Sequence, residues 1–166
     1  DEDHLRFQTL ESLRQLLLPT TGRRADVALV KASYLLRLAA TRQRLPSRQK
    51  LPPEAIVDPP MIESILLEMQ EWTDFVSRLD ESDHVALGAT MRFPRLVVAS
   101  YSWINRPHHP DLMGVYLREV LARAIEWYMS ERAKLLLQDL KPLLEKGAPR
   151  LRGGVDFGIM IDFSSL

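Results

Sequence analysis

Two short apolar runs constrain this chain more than any other feature. Leu96-Val97-Val98-Ala99-Ser100-Tyr101 and Val155-Asp156-Phe157-Gly158-Ile159-Met160-Ile161-Asp162-Phe163 are rich in β-branched, aliphatic and aromatic residues. That is the composition of strands buried on both faces. Roughly 55 residues separate the runs, far too many for a hairpin and enough for a crossover helix. The spacing predicts that strands at 95–101 and 157–163 lie parallel in one sheet, joined through a helix at 112–140. Such crossovers are right-handed in about 98% of cases.

The connecting helix has its own signals. Asp111 is placed to cap it, and Val115, Val120, Leu121, Ile125, Tyr128 and Leu135 are among its apolar positions. Pro142 kinks or restarts the helix, and Gly147 with Pro149 ends it. Upstream, leucines at helical spacing predict a helix at 4–18 that stops before Pro19. A second helix is expected at 24–43, where Val27, Val30, Tyr34, Leu35 and Leu38 form a stripe. The segment 44–60 holds five prolines, Pro46, Pro52, Pro53, Pro59 and Pro60. It reads as an extended linker with little apolar area to bury and the highest internal mobility. A third helix is expected at 61–79, with Met69 and Trp72 as core residues. The expected division is therefore a helical region at 1–90 with the linker at 44–60, then an α/β unit at 91–166.

Composition excludes several classes. The 166 residues contain no cysteine, so disulfide frameworks and thiolate metal sites are ruled out. That absence fits a reducing compartment, and a cytoplasmic location is the expectation. At 46% hydrophobic and 27% charged residues, a globular core is expected rather than disorder. No apolar run approaches the roughly 18 residues needed to span a bilayer. The opening Asp1-Glu2-Asp3-His4 is acidic, has no signal-peptide pattern and lacks a starting Met. The reading is a processed product or part of a longer chain.

Net charge is zero, yet charge is segregated. Residues 20–50 carry eight basic residues against Asp26 alone, and residues 51–90 carry nine acidic residues against Arg78 alone. A basic surface for nucleic acid or an acidic partner is one reading. Tyr34 is the only aromatic residue in the basic stretch, whereas a base-stacking platform needs several. Solvated or mutually facing segments are favoured over a nucleic-acid surface.

Phosphate-binding loops, dinucleotide fingerprints, zinc-protease motifs and nucleophile elbows are all missing. Gly153-Gly154 precedes a strand, whereas a phosphate loop follows one. Ser100, Ser102, Ser164 and Ser165 stand at or beyond the carboxyl ends of the expected strands, with Asp162 near the same edge. Open α/β sheets place ligands there; helix caps and turns are the alternative use of these residues. His108, His109 and Asp111 offer nitrogen and oxygen ligands, but no second cluster joins them, so no metal is assigned.

The run Leu96-Val-Val-Ala-Ser-Tyr-Ser-Trp103, the following His/Pro/Asp loop and helix, and Gly154-Val-Asp-Phe-Gly-Ile-Met-Ile-Asp-Phe-Ser-Ser-Leu166 resemble the opening of a TIR or SEFIR domain. Heterokaryon-incompatibility domains, a distant relation, open similarly. The resemblance covers 93–166. It implies a flavodoxin-like parallel sheet that assembles with its own kind, and some members cleave NAD. It places Ser100, Ser102, Trp103 and Asp162 around the ligand edge. The intervening helix is longer than the family's, and the sequence stops at Leu166 after the second strand. The catalytic glutamate of NAD-cleaving members lies on a later helix, so no residue here takes that role. NAD enters only through the resemblance, and the chain alone is not expected to hydrolyse it.

The expected fold is thus α/β and mainly helical: N-terminal helices, then a partial flavodoxin-like, TIR-like parallel sheet. The expected function is protein–protein assembly, with a partner that is another copy or the remainder of a larger chain or complex. The N-terminal part of an NAD-cleaving enzyme and a structural subunit of a large complex are the alternatives.

Overall fold

A computed structural model describes residues 9–19, 25, 27–80, 95–99, 114–137, 141–151 and 153–161. The fold is mixed α/β, mainly helical, with one three-stranded sheet. The elements are α1 (Leu10–Leu17), β1 (Leu29–Lys31), α2 (Ala32–Ala40), α3 (Pro59–Val76), β2 (Leu96–Ala99), α4 (Ala122–Leu137), α5 (Lys141–Glu145) and β3 (Gly158–Ile161). A π-helical turn, Leu117–Leu121, leads directly into α4. The described residues fall into two units. One draws on Asp1–Asp26, Asp58–Pro94 and Glu131–Val155; the other draws on Val27–Val57, Arg95–Ser130 and Asp156–Leu166. The boundary expected at residue 90 lies outside the described residues.

The sheet belongs to the second unit. Its order is β1-β3-β2, so β3 is central. β2 pairs with β3 in parallel, from Leu96 opposite Gly158 to Ala99 opposite Ile161, as the two apolar runs require. All four residues of β3 are buried, the burial expected of a strand covered on both faces. β2 differs: among the described residues it is paired on one side only, and its Val98 is 63% exposed, so the expectation of burial on both faces is corrected.

A second correction concerns 24–43, expected to be one helix. Leu29–Lys31 instead forms β1, antiparallel to β3, and the sheet is mixed. The apolar spacing of Val27, Val30 and Tyr34 satisfies a helical stripe, but Leu29 and Val30 are buried in the sheet, at 1% and 0% exposure. Ladder bonds and burial outweigh a weak local preference. The strand turns into α2 without a loop. Ala32 still donates its amide to the Phe157 carbonyl at 3.0 Å while starting the helix.

The segment 44–60 also departs from expectation. Leu45, Leu51, Ala55 and Val57 are buried. Two short 3₁₀ turns, Arg48–Lys50 and Pro53–Ala55, shape it, and Ile56 bridges Val30 in antiparallel fashion. The Val57 amide donates to the Leu29 carbonyl at 2.9 Å. The prolines occupy positions where no amide donor is needed, so the chain can pack here without breaking a ladder. A Cβ on Gly158 would lie 3.1 Å from Leu29 Cδ1 and 3.3 Å from Val57 Cγ2. Glycine lets the central strand and the segment above it approach closely. The core here joins Val30, Leu35, Leu38, Leu117, Ile125, Phe157 and Ile159, and the Tyr128 and Phe157 rings lie 4.6 Å apart.

The first unit is built on α3. Its start at Pro59 precedes the expected residue 61. Proline is tolerated in the first helical turn, and Asp58 caps the helix by accepting the Met61 amide at 2.8 Å. α1 begins at Leu10, after an extended Thr9 that forms a reciprocal capping box with Ser12; residues 4–8 of the expected helix lie outside the described residues. Leu17 is buried, and Arg14 reaches Glu63 on α3 at 2.7 Å. Trp72 meets Phe75 edge-on at 5.9 Å, with Ala148 in the same cluster. Gly147, at φ +86°, closes the chain after α5.

Candidate functional site

The residues expected at the ligand edge, Ser100, Ser102, Trp103 and Asp162, lie outside the described residues, as do His108, His109, Asp111, Ser164 and Ser165. The described structure brings the carboxyl ends of β2 and β3 together at the register pair Ala99 and Ile161. Among the described residues, no group of three or more His, Asp or Glu is arranged to hold a metal ion. No helix of the described residues is long and apolar enough to cross a membrane.

Two polar clusters are present that spacing in the sequence does not reveal. The first joins residues 123 positions apart. α2 has no capping side chain of its own at Lys31. The Asp156 carboxylate supplies the cap from the approach to β3. Its Oδ1 accepts the Ser33 amide at 3.1 Å and the Phe157 amide at 3.0 Å, and its Oδ2 accepts the Ser33 hydroxyl at 2.7 Å. A serine–carboxylate pair suggests nucleophile and base, but these three donors engage both carboxylate oxygens. The cluster satisfies helix-start amides and a hydroxyl, and it ties α2 to the sheet.

The second cluster lies in the first unit. Arg132 is 1% exposed and its Nη2 donates to Glu68 Oε1 at 3.3 Å, while its Nε donates to the Gly154 carbonyl at 3.2 Å. A buried guanidinium with a carboxylate and a carbonyl positions elements; nothing in it is presented for reaction. In the sheet unit, burial raises the Tyr34 hydroxyl above its ordinary pKa, partly opposed by the Arg37 charge.

What the described surface presents outwardly is apolar and charged area. Among the described residues β2 is paired on one side only, and Val98 on it is exposed. Val115 before the π turn, Val120 within it and Trp127 on α4 are 49%, 51% and 59% exposed. Val120 and Trp127, seven residues apart, share a helix face. No protein-family model, curated protein or solved structure matches the chain.

Proposed function

We propose that the chain is a protein–protein assembly module built around a TIR-like opening unit, with a protein strand as the partner of its sheet. The observation that carries the reading is the β2 edge. A three-stranded sheet with its central strand wholly buried ends, among the described residues, on a strand whose Val98 is 63% exposed. An edge of this kind is a template for strand addition, which supplies backbone hydrogen bonds and an apolar pocket together. The parallel register of β2 and β3 supports the TIR-like reading, and the antiparallel β1 is a departure from it. The partner is another copy or the remainder of a larger complex.

Light scattering on the eluting chain and hydrogen exchange of 96–99 test this together. Molar mass and protection of the β2 amides should rise with protein concentration. In Val98→Lys, which puts a charge on the edge, protection of the β2 amides should stay at its dilute value. A chain that remains monomeric with exchange unchanged, or a Val98→Lys chain whose β2 amides become protected as in the unmodified one, removes the reading.

A further inference from the structure

The segregation of charge takes a definite form within each unit. In the sheet unit, α2 ends in a Schellman turn: the Gln43 amide donates to the Leu38 carbonyl at 2.9 Å and the Arg42 amide to Ala39 at 3.1 Å. The left-handed position of this turn holds Arg42, at φ +55°, where glycine is the usual occupant because a Cβ is strained there. Arg37, Arg42 and Arg44 are all exposed around the turn. The approach to the π turn borders it: a Cβ on Gly114 would lie 2.9 Å from Arg118 Nη1 and 3.4 Å from the Gln43 carbonyl oxygen. Val115, next along, is 49% exposed. No acidic residue occurs between Asp26 and Glu54.

In the other unit, α3 carries Glu63, Glu68, Glu71 and Asp74 and no basic residue. Glu68 is buried against Arg132 and the half-exposed Glu63 pairs with Arg14 at 2.7 Å, while Asp74 is exposed. Leu67 follows Glu63 by four residues and precedes Asp74 by seven, so the three share a helix face, and Leu67 is 46% exposed.

We propose that the basic turn after α2 docks the acidic face of α3 in a second copy of this chain, head to tail. The Arg42 and Arg44 guanidinium groups face the exposed Asp74 of α3, and Val115 and Leu67 add apolar contact. Charge complementarity names the occupant: the exposed arginines of the turn suit the exposed carboxylate of the α3 face. The only aromatic residue in the basic stretch, Tyr34, is 8% exposed and offers no stacking face for bases. The two surfaces differ, so the contact is heterologous. The proposal rests on the assembly reading but uses a different surface from the β2 edge.

The test is light scattering on the full chain at low salt and at about 0.5 M salt, where screening shortens the reach of charge to a few ångströms. The unmodified chain should associate at low salt and lose at least about tenfold in affinity at high salt. In a Val98→Lys background, which closes the β2 edge, Arg42→Gly with Arg44→Glu blocks one surface and Asp74→Lys the other. Each variant alone should be monomeric, and an equimolar mixture should form a dimer and nothing larger, because each supplies the surface the other lacks. Thermal melts confirm folding, and Arg42→Gly should not lower the midpoint. If the unmodified chain stays monomeric, this proposal and the assembly reading fail together. If it associates but the charge variants associate equally well, this contact alone fails. Variants that lose thermal stability without changing mass show charge pairing within one chain and overturn the proposal. An unmodified monomer that binds a single-stranded oligonucleotide through Arg42 and Arg44 also overturns it.

Discussion

Arg42 shows how a single residue departs from what its position favours. The turn it occupies is made by two backbone hydrogen bonds that any sequence can form, yet its φ of +55° suits glycine. Replacing it with glycine removes the Cβ strain and returns some chain entropy to the unfolded state. The net expected from Arg42→Gly is a gain of about 0.5–1 kcal/mol, read as a higher denaturant midpoint with an unchanged slope. A loss of stability would mean that the guanidinium makes a stabilising contact within the fold. Gly158 is the converse case, a glycine kept for space: Leu29 and Val57 would both lie within 3.3 Å of an added Cβ. No feature of the sequence around Gly158 announces that approach, since it depends on residues brought in from 29 and 57.

At the scale of the element, the start of α2 depends on a residue from the far end of the chain. Lys31 offers no side-chain cap, and Asp156 takes the role across the fold. Asp156→Ala should cost about 1–2 kcal/mol, the range of a lost helix cap, and should raise hydrogen exchange in the first turn of α2 more than in α3. Equal exchange in the two helices would show that the carboxylate does not hold α2. α3 provides the contrast: its cap, Asp58, sits directly before it in the chain. Over 24–43 the apolar spacing serves a strand and a helix equally well. Only pairing with β3 separates them.

For the whole molecule, the buried pair of Arg132 and Glu68 ties α4 to α3 within one unit. Glu68→Ala leaves a guanidinium buried without its carboxylate and should cost about 3–5 kcal/mol. Glu68→Leu combined with Arg132→Met should recover most of that, because neither charge then has to be desolvated. Denaturant unfolding measures both, and a double variant as unstable as Glu68→Ala would show that the loss comes from packing. The sequence alone determined the parallel pairing of β2 with β3, because two apolar runs so far apart admit a crossover and little else. It also determined α3, the end of α1 and the restart of the helix at α5, where caps, prolines and glycines act locally. The residues expected at the ligand edge, Ser100, Ser102, Trp103 and Asp162, fall outside the described residues. Tertiary structure decided the antiparallel β1, the burial of the proline-rich segment, the Asp156 cap and the Arg132 pair. Each depends on residues distant in the chain, and burial of apolar area and satisfaction of backbone donors outweigh the local preferences that spacing reports.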